Sequence, residues 1–231
     1  MKRLLSAFFA IALSTATATA QSAQKSVSIL GDSYSTFAGH VTPAENLIYY
    51  PSLNVHKAEQ TWWSILLEEC NLRLERNCSY SGSTICNTGY DEADYSDRSF
   101  IARAGDIGMP DIVLVFGGTN DSWAKVPVGE NVYGEWTADD LYAFRPALCK
   151  LFDTLQREHP EAAIFNIVNT GLSQEIVSAI EEISDRYGIA MIRLHEIDKQ
   201  HGHPTAEGMR RIAEQVGAAI RPAIEKRLCT D

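Results

Sequence analysis

The sequence is short of basic residues: 20 lysines and arginines stand against 30 aspartates and glutamates, for a formal charge of −10 at pH 7. The lysines and arginines form no cluster. An acidic chain of this kind offers no electrostatic footprint for nucleic acid or an anionic membrane surface, and neither is expected as a partner. The balance says little about a neutral substrate. Cys-x-x-Cys is also missing among the five cysteines, Cys70, Cys78, Cys86, Cys149 and Cys229, which argues against a structural zinc site. Their odd number leaves at least one thiol unpaired or bonded between chains, and spacing does not reveal which. There is no internal repeat, low-complexity tract or Pro/Ser-rich linker, so the chain reads as one domain.

The one long apolar run is at the start. Lys2 and Arg3 precede Leu4 to Leu13, and Ala18-Thr19-Ala20 has the small residues of a cleavage site. Residues 1–20 therefore read as a secretory signal peptide, too short to span a membrane. No cysteine closely follows to carry a lipid, so an exported protein, periplasmic or secreted and without a stable membrane anchor, is expected from about Gln21. Losing Lys2 and Arg3 takes the charge to −12.

After that point, apolar runs alternate with amphipathic segments, which argues for a parallel sheet with helices on both faces. Strands are expected at Ser26–Leu30, around Leu72–Ser79, at Ile112–Phe116, at Ala163–Val168 and at Ile189–Leu194. Ile112–Phe116 is apolar throughout, as a strand buried on both faces must be. Thr61 is placed to cap a helix running to about Cys70. Thr137 to Asp140 reads as a capping-box variant ahead of a helix from Leu141 to Leu155, which Pro146 should kink or restart. Ser173 caps a further helix that Gly188 ends, and Pro204 is placed to open the last one.

The chemistry-bearing residues sit where these strands stop. Ser26–Leu30 breaks into Gly31-Asp32-Ser33-Tyr34, at the carboxyl edge where ligands of open α/β sheets collect. A serine there needs a base to take its proton and donors for the oxyanion that its attack would create. Ser81-Gly82-Ser83 follows the second strand, and Gly117-Gly118-Thr119-Asn120-Asp121 follows the third. His203-Pro204-Thr205 precedes the last helix, with His195 and His201 as nearby rivals.

These four blocks, in this order, resemble the SGNH (GDSL-type) hydrolases. The resemblance covers nearly the whole chain after residue 20. It implies a three-layer α/β/α sandwich around a five-stranded parallel sheet of flavodoxin-like type, and a carboxylic ester hydrolase needing no cofactor and no metal. It assigns Ser33 as nucleophile, His203 as general base, and the Ser33 N–H, Gly82 N–H and Asn120 side chain as the oxyanion hole. Asp121 is read as turn structure.

One position departs from the pattern. The family usually carries an aspartate three residues before the histidine, and here that residue is Gln200. Asp198 lies five residues ahead and is expected to reach His203 through a rearranged loop; Gln200 or a backbone carbonyl are the other candidates for orienting the ring. On the substrate side, Tyr50 and Trp123 are expected to line the site, while Trp62 and Trp63 read as core anchors. The expected substrate is a small acyl ester, an acetyl group on a carbohydrate in the first instance. A lipid-directed esterase or thioesterase, and a carbohydrate-binding relic of the same fold, are the other readings. The sequence does not give the oligomeric state.

Overall fold

The computed structural model describes residues 24–225, so the expected signal peptide lies outside the described residues. Five parallel strands form one sheet: β1 (Ser26–Gly31), β2 (Arg73–Asn77), β3 (Ile112–Phe116), β4 (Ala163–Val168) and β5 (Ala190–Arg193). Their order across the sheet is β2-β1-β3-β4-β5, the flavodoxin-like arrangement of doubly wound folds. The chain leaves β1 in one direction for β2 and returns on the other side for β3. The carboxyl ends of β1 and β3 therefore flank a crevice, the switch point at which such folds bind ligands.

Side-chain alternation divides the core into two halves. Ile112, Leu114 and Phe116 of β3, with Val27 and Ile29 of β1, face α1 (Trp62–Glu69) and α6 (Ala206–Glu225). Val113 and Val115, with Leu30, face α2 (Phe100–Arg103), α4 (Phe144–Glu158) and α5 (Gln174–Tyr187). All five β3 side chains are fully buried, and each contributes about 1.5–3 kcal/mol through loss of apolar surface to water. One short helix, α3 (Thr119–Ala124), starts directly beyond β3.

The caps at Thr61 and Ser173 form as expected, each hydroxyl accepting a backbone N–H from three residues on. Gly188 closes α5 in the left-handed conformation. Thr137 and Asp140 exchange the expected pair of bonds, but they close a 3-10 turn (Asp139–Tyr142) rather than the helix itself. The helix α4 begins at Phe144, which leaves Leu141 outside it and puts Pro146 in its first turn, where a missing N–H costs nothing. Cys70, Cys78, Cys86 and Cys149 are free thiols; Cys229 lies outside the described residues.

The segment before α6 corrects an expectation. Pro204 does not open the helix but ends a two-stranded hairpin, in which β6 (Lys199–Gln200) pairs antiparallel with β7 (His203–Pro204). The two turn residues, His201 and Gly202, both have positive φ (51° and 79°), as a two-residue type I′ hairpin turn demands. Gly202 is doubly constrained, because a Cβ there would sit 2.9 Å from the Trp123 ring. Helix α6 then starts at Ala206, with Thr205 Oγ1 accepting the Gly208 N–H.

Candidate active site

Beyond β1 the chain makes a single 3-10 turn, Ser33–Ser35, with Asp32 as its cap: Asp32 Oδ1 accepts the Tyr34 N–H at 3.0 Å. Three residues make no macrodipole, so the turn brings no helical dipole to this site. The turn is instead held from below by a set of donors. Trp62 Nε1 bonds Ser35 Oγ at 3.2 Å, Trp63 Nε1 bonds the Ser35 carbonyl at 3.0 Å, and Asn77 Nδ2 bonds the same carbonyl at 2.8 Å. The two tryptophans are buried anchors, in line with their sequence reading.

Ser33 Oγ lies 3.0 Å from His203 Nε2, although the two residues are 170 positions apart in sequence. The other ring nitrogen, Nδ1, faces the backbone carbonyl of His201 at 3.2 Å. A carbonyl oxygen can only accept, so Nδ1 carries the proton and Nε2 keeps its lone pair toward the serine hydroxyl. Burial pulls the imidazole below its ordinary pKa; the His201 carbonyl works against this and the Lys199 charge adds to it. The ring is therefore neutral near pH 7 and able to take a proton.

Asp198 does not reach this ring. Its carboxylate accepts the Thr205 hydroxyl and its carbonyl accepts the Thr205 N–H at 3.1 Å, so the residue fastens the base of the hairpin to the start of α6. Among the described residues no carboxylate hydrogen-bonds to His203. Gln200 pairs across the hairpin with His203 in the backbone ladder, and its side chain is exposed. Of the three candidates, the carbonyl is the group in place.

Gly82 and Asn120 come to the same crevice. The loop carrying Gly82 is joined to the end of β1 by Tyr80 N–H bonding the Gly31 carbonyl at 3.1 Å. Arg103, almost wholly buried, extends its guanidinium to the Gly31 and Cys78 carbonyls and to Ser83 Oγ. Burial lowers its pKa to about 10, so it stays charged at neutral pH. Gly82 has φ of +81°, a conformation that glycine holds at no steric cost. Asn120 Nδ2 donates to the Ser83 carbonyl at 2.9 Å while its Oδ1 accepts from Tyr90 Oη at 2.8 Å, which fixes the amide and leaves one N–H to spare. The backbone N–H groups of Ser33 and Gly82 have no acceptor among the described residues. Asp121 accepts the Ile85 and Cys86 N–H groups and so supports the loop, as its turn reading expected.

Two acidic groups lie deep beneath the crevice. Burial pushes the Asp32 carboxyl up to about 7, opposed by the Tyr34 N–H, and the Asp121 carboxyl up to about 6. Lys199, from β6, bonds Asn169 Oδ1 at 2.9 Å and the Thr170 carbonyl at 3.1 Å; its own burial lowers it to about 8, against the opposing charge of Asp32.

The expected substrate-side pair divides. Trp123 stands at the mouth, 41% exposed, with its ring edge-on to His203 at 5.8 Å. Tyr50 is fully buried and donates its hydroxyl to the Pro204 carbonyl, so it does not line the site. Its neighbour Tyr49 does, lying flat against His203 with ring centroids 3.7 Å apart. The sequence reading missed Tyr49, Tyr90, Arg103 and Lys199. Only Tyr49 had a signal, its place beside Tyr50 in Tyr49-Tyr50-Pro51, and the packing of the hairpin against the two rings decided which one met His203.

The 2-1-3-4-5 sandwich with these blocks at its switch point defines an ester-bond hydrolase. The chain belongs to the GDSL-like lipase/acylhydrolase family, whose model matches residues 25–220, and the SGNH resemblance stands. A solved protein from Bacteroides uniformis, named for the same GDSL-like lipase family, is 55% identical, with 86% of this chain and 96% of that one covered at a TM-score of 0.85. Another of that name, from Bacteroides ovatus, is 47% identical, covering 86% and 98%, at a TM-score of 0.84. A family two carbohydrate esterase from Clostridium thermocellum, solved with cellohexaose, shares the fold at 18% identity and a TM-score of 0.57, covering 88% of this chain and 64% of its own. No curated protein matches the chain.

Proposed function

We propose that the protein is an exported serine esterase that removes a small acyl group, acetyl foremost, from a carbohydrate through a Ser33–His203 dyad. The observation that carries this reading is the 3.0 Å contact from Ser33 Oγ to His203 Nε2, with Nδ1 committed to a backbone carbonyl. In the proposed mechanism Ser33 attacks the ester carbonyl as His203 Nε2 takes its proton. The oxyanion is received by the Ser33 and Gly82 N–H groups and the spare Asn120 N–H. His203 returns the proton to the leaving alcohol, and water then releases the acyl-enzyme by the same steps in reverse order of partners.

The carbohydrate is supported by the exposed Trp123 face at the mouth, suited to stacking on a sugar ring, and by the fold shared with the family two carbohydrate esterase. Export is supported by the composition of residues 1–20. The test is hydrolysis of p-nitrophenyl acetate and acetylated sugars by purified protein, with fluorophosphonate labelling mapped by mass spectrometry. Turnover and labelling at Ser33, both lost in Ser33→Ala, are expected. Unchanged turnover in Ser33→Ala would overturn the mechanism, and activity that keeps rising into long acyl chains would overturn the acetyl preference in favour of a lipid substrate.

A further inference from the structure

The loop between the Ser33 turn and α1 folds back over the crevice and presents Tyr49 and Tyr50 side by side. Tyr49 stacks on the His203 imidazole with planes 7° from parallel. Tyr50 holds the next residue of the hairpin, its hydroxyl 2.7 Å from the Pro204 carbonyl, and its ring meets Tyr49 edge-on at 4.9 Å. The Tyr49 backbone is tied to the serine side as well. Its N–H donates to Thr36 Oγ1 at 2.9 Å, and that hydroxyl donates to the Ser33 carbonyl at 3.1 Å. One dipeptide thus touches His203 directly and is linked to Ser33 through the Thr36 hydroxyl.

We propose that Tyr49 is a positioning residue for His203, holding the imidazole plane on the Ser33 hydroxyl where the hairpin supplies no carboxylate. The proposal rests on the reading of Ser33 and His203 as nucleophile and base. A single carbonyl acceptor at 3.2 Å fixes the tautomer but restrains the ring weakly, because the histidine χ2 well is broad. A flat ring against one face removes that freedom, since turning the imidazole would drive its edge into the tyrosine. The other aromatic neighbours hold it less closely: Tyr34 is tilted by 49° at 5.5 Å and Trp123 is edge-on at 5.8 Å. The stack continues to act once the proton has moved, because an aromatic face attracts the imidazolium that forms. Lys199, the charged side chain beside the ring, acts in the opposite sense.

The experiment compares Tyr49→Phe with Tyr49→Leu, reading kcat and KM on p-nitrophenyl acetate, the rate of fluorophosphonate labelling, and the His203 ring-proton resonances in free protein. Tyr49→Phe keeps the stack and is expected to retain the parent kcat. Tyr49→Leu is expected to lose about 10–100-fold in kcat, the scale of a small misplacement of a reacting group, with KM little changed. Its labelling slows to match, and the His203 resonances lose the upfield ring-current shift shared by parent and Tyr49→Phe. Should the leucine variant fail to fold, Tyr49→Met carries the same comparison. A change confined to KM, parent-like kcat in the aliphatic variant, or a phenylalanine variant as slow as the leucine one would each overturn the proposal. The resonance shift needs no turnover, so loss of the stack is read separately from failure of the esterase reading, which the Ser33→Ala control reports.

Discussion

His203 Nδ1 donates to the carbonyl of His201, two residues earlier in the same hairpin turn, at 3.2 Å. A triad would place a carboxylate at that point, and its negative charge would stabilise the imidazolium as well as orient the ring. Here a backbone dipole does the orienting, and the hairpin is what aims it.

Asp198→Ala should therefore leave kcat close to that of the parent. The residue's bonds run to Thr205, at the start of α6, so the expected cost is in stability, about 1 kcal/mol for the lost side-chain bond. Steady-state kinetics and a denaturant melt on one preparation check both parts. A fall of a hundredfold or more in kcat with unchanged stability would restore Asp198 to the reaction.

The Lys199 charge helps to keep His203 deprotonated. Replacing it in Lys199→Met removes that repulsion and raises the imidazole pKa. The acid limb of kcat/KM then moves to higher pH, and activity falls more at pH 6 than at pH 8. A pH–rate profile decides this, and an acid limb that moved downward would contradict the assigned electrostatics.

Asn120→Ala removes one oxyanion donor and is expected to lower kcat by about 10²–10³-fold. Tyr90→Phe removes the hydroxyl that meets Asn120 Oδ1 at 2.8 Å, freeing the amide to turn; its smaller loss should also appear in kcat rather than KM. If the tyrosine instead only binds substrate, KM alone will rise.

Burial raises the Asp32 carboxyl from 3.8 to about 7 in the folded chain. Between those values the unfolded chain gives up its proton before the folded one does, so this group's contribution to stability declines as pH rises through that window. Asp32→Asn, neutral at every pH, should match the parent near pH 4 and become the more stable of the two above pH 7. Thermal melts across that range provide the check; a variant less stable at pH 8 would show that the ionised carboxylate is well held.

Much of the site was legible because each block is a local signal at a strand end: Gly31-Asp32-Ser33 after β1, Gly82 after β2 and Asn120 after β3. The Asp198 expectation failed because it assumed a loop loose enough for the carboxylate to reach back. The hairpin instead has a tight two-residue turn, with His201 at φ 51°. Histidine tolerates the left-handed region less readily than glycine, which makes His-Gly a weaker hairpin signal than Asn-Gly. Choosing Tyr50 over Tyr49 failed because the two rings lie together, 4.9 Å apart, and only the docking of the hairpin decides which one stacks on His203 and which is buried against the Pro204 carbonyl.

By itself the sequence determined the parallel sandwich, the family, which strand ends carry the serine, glycine and asparagine, and that the histidine precedes the last helix, because hydrophobic period and turn chemistry act over a few residues. Only the tertiary structure decided what holds the histidine. The His201 carbonyl is aimed by the hairpin turn, and the Tyr49 ring arrives from a loop that shares no local signal with residue 203. Contacts of that kind depend on how separate elements dock, which no short-range pattern encodes.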